Sequence, residues 1–344
     1  MTDEPRSRLK LRLFYIVASV AAVCLIGATA FSWLWLNLNA PYRAYQDEAV
    51  LFEISKGSTV KEIGVDLESR GIIQSADLFW FYTRIRGKTK SLKAGEYRFD
   101  HPVSLVEVVR KLDSGDVHHH RVTIPEGLDV VETSSVFVEA GFGSHSDFAT
   151  AAEMVDLVNR LDSKAENLEG YLFPDTYFLT RGTSASEIVQ RMVTRFLGFW
   201  TEDLDKRAKE LGMSPRQVVT LASLIEKEAA LVDERKLVSA VFHTRLAKGM
   251  RLACDPTVIY AVKQIKDYDG VINRSDLDLD SPYNTYLYPG LPPGPIASPG
   301  AQSISAALNP ADTKYLYFVS KNDGSHVFSE TYAQHSRAVQ KYQR

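Results

Sequence analysis

Cysteine is nearly missing from this chain of 344 residues: there are two, Cys24 and Cys254. So few exclude a disulfide scaffold and a cysteine-built zinc site. Also missing is any block of Lys and Arg long enough to grip a phosphate backbone. With a formal net charge of −3, this argues against nucleic acid as a partner. Charge is absent altogether from Leu13 to Leu36, 24 residues in a row. As a helix these would run about 36 Å, enough to cross a hydrocarbon layer of about 30 Å. A signal peptide has a shorter apolar stretch ending in small residues, whereas this one runs on into Phe31, Trp33, Leu34, Trp35 and Leu36. The stretch therefore reads as an uncleaved anchor, with Trp33 and Trp35 at the far interface.

The flanks orient it. Arg6, Arg8, Lys10 and Arg12 precede the span against Asp3 and Glu4, and Arg43 is the lone base between the span and Lys56. The positive-inside bias predicts a cytoplasmic tail over 1–12, a transmembrane helix over 13–36 and an extracytoplasmic remainder. Of the 43 acids and 40 bases only two and four precede the span, so the exported part carries −5.

What is present is a globular composition, 45% hydrophobic and 24% charged, with a weak repeat at an offset of 70 residues. Ile54, Gly57, Val60 and Gly71 match Ile124, Gly127, Val130 and Gly141. Thr59 with Glu62, and Asp129 with Glu132, are cap-x-x-Glu helix starts. Each unit reads as a short strand, a turn, a capped helix and a stop. Between them, 95–99 reads as a strand, 104–112 as a helix boxed by Ser104 and Glu107, and Ser75 caps another helix. This pattern resembles the LysM-like module of cell-wall proteins. Further on, 169–177 reads as an aromatic strand and turn, Ser184 opens a long helix, and strands return at 315–319 and 326–328. Strands and helices segregate, which predicts an α+β fold: one N-terminal transmembrane helix, a LysM-like βα module over 37–120, and a mixed α+β domain over 121–344.

Ser214, Pro215 and Gln217 open a helix read to about Leu231. At about 100° per residue, Val218, Leu221, Ala222, Ile225 and Ala229 share one buried stripe, and Lys227 points to water. Glu226 and Glu228 fall on opposite shoulders, about 160° apart, so they cannot serve one cleft. An isolated Glu-x-Glu of this kind is ordinarily a pair of solvated border residues. Asp255, with Pro256 behind it, reads as a helix N-cap. Ser281 to Gly300 holds six of the 14 prolines, with Tyr283, Tyr286 and Tyr288. A stiff loop this long is usually functional, and its flat aromatic faces suit a sugar chain. His118, His119 and His120 point alternately along a strand start, so no metal site is expected.

Several segments in order carry a specific resemblance. They are 169–177 (EGYLFPDTY), 221–228 (LASLIEKE), 241–246 (VFHTRL), 255–260 (DPTVIY), 283–286 (YNTY) and 290–296 (GLPPGPI). Together they resemble the endolytic murein transglycosylases of the YceG-like (MltG) family, over nearly the whole exported chain. The resemblance implies cleavage of the MurNAc–GlcNAc bond within nascent peptidoglycan strands, leaving 1,6-anhydro-MurNAc ends and terminating elongation. It implies Glu226 as the catalytic acid, with Asp255, Thr257, Tyr283, Asn284 and Tyr286 as substrate-binding candidates. It implies no cofactor, glycan strands as substrate, and cell-wall synthases beside the enzyme at the cytoplasmic membrane. One carboxyl suffices, since the sugar's own C6 hydroxyl replaces an attacking water; raising its pKa by partial burial would keep it protonated. The alternative is a non-catalytic peptidoglycan-binding anchor. A hydrolytic muramidase is a minor third reading.

Overall fold

The computed structural model describes residues 4–343, with side chains from Arg12 onward; the flanking charges from Asp3 to Lys10 lie outside that side-chain range. It is a mixed α+β structure with three two-stranded sheets among the described residues. Two compact units divide the chain, Met1–His120 and Arg121–Arg344.

The first unit opens with α1 (Glu4–Asn39). Its segment Arg12–Asn39 is long and apolar enough for a membrane span or a signal sequence, and near its end Leu38 packs against the core of the first unit. Then come β1 (Val50–Ile54), α2 (Val60–Ser69), α3 (Ala76–Ile85), β2 (Gly95–Phe99) and α4 (Leu105–Ser114). β1 and β2 pair antiparallel, Val50 opposite Phe99 and Ile54 opposite Gly95. The two-residue period of a strand sends Phe52, Ile54, Tyr97 and Phe99 to one face, where they are buried with Leu67, Phe79, Val108 and Leu112. Each such side chain contributes roughly 1.5–3 kcal/mol of burial. Capping boxes at Thr59 and Ser104 start α2 and α4 as their sequences demand.

β3 (His120–Thr123) starts at the last residue of the first unit and leads into the second, which continues with α5 (Val130–Glu139), α6 (His145–Ala152), β4 (Thr176–Leu179), α7 (Ala185–Phe199) and α8 (Glu202–Glu210). α9 (Pro215–Glu228), α10 (Arg235–Ala247), α11 (Asp255–Lys263), α12 (Arg274–Leu277) and α13 (Ala301–Leu308) follow. β5 (Tyr317–Ser320), β6 (His326–Ser329) and α14 (Tyr332–Tyr342) close it. The 70-residue repeat is visible in the backbone: β1 and α2 return as β3 and α5, the second helix boxed by Asp129 and Glu132.

α9 is the central element, packed by α8, α10, α11 and α13. Every residue from Val218 to Ile225 is buried, so the single-stripe reading is corrected to burial all round. The small hydroxyls make this possible. Thr220 donates to the Arg216 carbonyl and Ser223 to that of Thr220, so neither needs water. Two boundaries are also corrected. α9 stops at Glu228 because Ala229 turns extended (φ −97°, ψ 100°). Cys254, not Asp255, is the N-cap of α11; Asp255 is its first residue and uses its carboxylate elsewhere.

Candidate active site around Glu226

The C-terminal end of α9 projects Glu226 into a frame made by three distant stretches of the second unit. One carboxylate oxygen accepts from Arg235 Nη2 at 2.9 Å, and the other accepts from the Gly300 backbone N–H at 3.0 Å. Its side chain is 5% exposed. Arg235 opens α10 after a short 3₁₀ turn over Val232–Glu234. Its two terminal nitrogens also lie 3.4 Å from Oε2 of Glu126. Glu126 follows β3 and stands 44% exposed. The segment after it is stitched to the proline-rich loop: Gly127 N–H donates to Ser298, and Ser298 N–H to Leu128. Lys227 completes the frame by donating to the Gly127 carbonyl at 3.0 Å.

Two hollows flank this arrangement. Arg235, Asp233, Lys236, Ala301 and Gln302 line part of a cleft of about 830 Å³, within the range of about 300–1,000 Å³ usual for ligand sites. Lys227, Tyr260, Lys263 and Ile296 border a smaller one of about 280 Å³. A carboxyl group at such a junction has the means to pass a proton to a bound oxygen once one of its two acceptor contacts yields.

Glu228 is no solvated border residue. It is half-buried, hydrogen-bonded to the Cys254 thiol, and desolvation pushes its carboxyl up to about 7. Asp255 adds to that rise and Arg245 opposes it. The wheel separation of the two acids holds: Glu226 meets Arg235, and Glu228 meets Cys254.

The other sequence-nominated residues gather away from Glu226. Asp255 accepts from the Tyr286 hydroxyl, beside Glu228. Thr257 and Asn284 are fully buried. Thr257 donates to the Cys254 carbonyl, and the Asn284 amide donates to the carbonyls of Leu277 and Leu279. Tyr283 packs on Tyr260, ring centroids 4.9 Å apart. Among the described residues, none of these five is a polar partner of Glu226. Tyr260 also donates to Glu169, a buried acid that desolvation, then Asp129, push up to about 8.

Sequence reasoning missed Arg235, Glu126, Gly300, the Cys254 partner of Glu228 and the burial of Glu169. Alternation sends His119 away but leaves His118 and His120 together, and Glu96 of β2 joins them, with one donor atom from each within 4.8 Å of the others.

A family model described as YceG-like matches residues 52–341. An endolytic murein transglycosylase of Bacillus subtilis is 33% identical over 322 residues, covering 89% of this chain and 88% of that protein. One from Streptococcus pneumoniae is 28% identical; it aligns with 94% of this chain, which spans 64% of that longer protein. The crystal structure of a YceG-like protein from Listeria monocytogenes superposes with a TM-score of 0.58 at 32% identity. That match covers 85% of this chain and 99% of the other.

Proposed function

The chain belongs to the YceG-like family, and from that membership we propose a reaction for the constellation around Glu226. The protein is an endolytic murein transglycosylase, a lyase that cuts peptidoglycan glycan strands internally. The observation that carries the assignment of the acid is the placement of Glu226: nearly buried, held by Arg235 and Gly300, with Arg235 lining an open cleft.

Protonated Glu226 gives its proton to the oxygen joining MurNAc to GlcNAc. The C1–O bond breaks, its electron pair stays on that oxygen, and C1 becomes an oxocarbenium ion. The C6 hydroxyl of the same sugar then attacks C1 and returns its proton to Glu226. The product is a 1,6-anhydro-MurNAc end, and the catalyst is restored. Tethering makes the attack effectively intramolecular. The Gly300 N–H and Arg235 stabilise the carboxylate between the two steps.

The strand–helix module of the first unit is read as a LysM-like glycan-binding element, supported by the repeated β–α pattern. With α1 as an anchor whose N-terminus is cytoplasmic, the cut falls on strands close to the membrane, where synthases extend them.

Glu226→Gln keeps the shape of the side chain but carries no transferable proton. It should lower anhydro-muropeptide release by about 10²–10⁴-fold, the usual share of general acid–base catalysis, with thermal unfolding unchanged within a few degrees. Near-normal release by this variant would sink the assignment. Product mass separates the hydrolytic reading, since a hydrolase leaves an end one water heavier.

A further inference from the structure

Arg235 is 8% exposed, and its Nε finds no partner. Compensation for its charge therefore comes through the two terminal nitrogens. A buried guanidinium without an opposite charge is strongly disfavoured. If Glu226 were its one acid, protonating Glu226 would strand the arginine. The group that must carry a proton at the start of the cycle would be pinned in its ionised form.

Glu126 removes that conflict. Its Oε2 lies 3.4 Å from both Nη1 and Nη2, so the two carboxylates share one guanidinium. The fold makes room for it. A Cβ on Gly300 would stand 1.9 Å from Glu126 Oε1 and 2.0 Å from its Cδ, while the Gly300 N–H serves Glu226. One glycine thus touches both acids, by its vacancy on one side and its amide on the other. Among the neighbouring charges, Arg195 of the same cleft pairs with Asp175, and Glu234 with His326. Lys227 is spent on the Gly127 carbonyl, Asp233 and Lys236 line the neighbouring cleft, and Glu228 faces Cys254.

We propose that Glu126 is a positioning carboxylate for Glu226, holding Arg235 whenever Glu226 carries its proton and sharing it once that proton has been given away. The inference rests on the proposed transglycosylase reaction. With Glu226 protonated, Glu126 and Arg235 cancel. With Glu226 ionised, the three groups sum to −1, opposite in sign to the oxocarbenium ion that exists at that moment. The trio changes charge in step with the sugar without moving any atom far.

The test uses the full-length protein in detergent with uncrosslinked glycan strands, following turnover against pH, product mass and thermal unfolding together. In Glu126→Gln, Arg235 has Glu226 as its one acid, so the alkaline limb of activity should move to lower pH by about a unit or more, the size expected for an unshared neighbouring cation. Turnover at neutral pH should fall by about tenfold or more with it. Gly300→Ala suits the local backbone (φ −77°), keeps the amide and displaces Glu126. It should shift the limb the same way and stands in if the glutamine variant fails to fold. Adding Arg235→Gln to Glu126→Gln should return the limb towards the wild-type position. A limb that stays put in both single variants, or an activity loss equal at every pH, overturns the proposal. A wild-type product lacking the anhydro end would instead overturn the reaction itself, whatever the variants do.

Discussion

Glu169 is buried and Glu228 half-buried, and desolvation is the leading cause of the rise of their carboxyls to about 8 and about 7 from an ordinary 4.5. Between 4.5 and those values the native chain keeps protons that the unfolded chain has released, so stability falls as pH rises through the window. The contribution is whole below about 4.5 and is lost as pH climbs past about 7 for Glu228 and about 8 for Glu169. Glu228→Gln and Glu169→Gln should each flatten the fall. The measurement is the difference in urea midpoint between wild type and variant along a pH series; parallel curves would remove the argument. At this scale Glu226 could be nominated because its helix segment belongs to a run of family-like motifs. Arg235 and Glu126 were not, because an ion pair between residues 109 positions apart leaves no local pattern. Glu228 was misjudged because helical spacing gives a direction and says nothing of what fills it, here Cys254.

Among the elements, starts were the most readable feature and ends the least. Ser184, Ser214 and Thr59 all form the boxes that their spacing predicts. A start depends on a four-residue hydrogen-bonding pattern, whereas α9 ends early by a backbone turn at Ala229 that no cap residue announces. The proline-rich loop was legible as rigid, and the structure supplies the reason. Arg216 donates to the Pro293 carbonyl at 2.8 Å and to Asp162 at 2.6 Å, tying the loop to the start of α9. Across from it sits Gly170, at φ +83°, where a Cβ would come within 2.4 Å of Pro295. Gly170→Ala combines backbone strain with that collision and should cost about 2 kcal/mol or more in urea unfolding. Gly182→Ala has a similar φ of +82° but open space around it, and should cost only the strain of about 1 kcal/mol. Equal losses would show that the loop yields freely at Pro295.

For the whole molecule, the sequence already foretold a mixed α+β chain with an apolar N-terminal helix, because hydrophobic period and run length are properties of the sequence itself. It did not foretell how residues near 126, 226 and 300 converge, since that depends on packing around α9. The proposed orientation has a direct check. A reporter fused after Arg344 should work only if it is of the exported-side type, and signal from a cytoplasm-only reporter would reverse the reading.

That convergence has a temporal side. A ribosome that has just finished Ala230 has made Glu226 and Glu126, but not Arg235 or the amide of Gly300 that hold the acid. The loop that closes against Gly127 through Ser298 is also still to come. A partly made chain therefore carries the acid without its frame. On the proposed assignment, that acid gains its frame only once the chain has been made as far as Gly300.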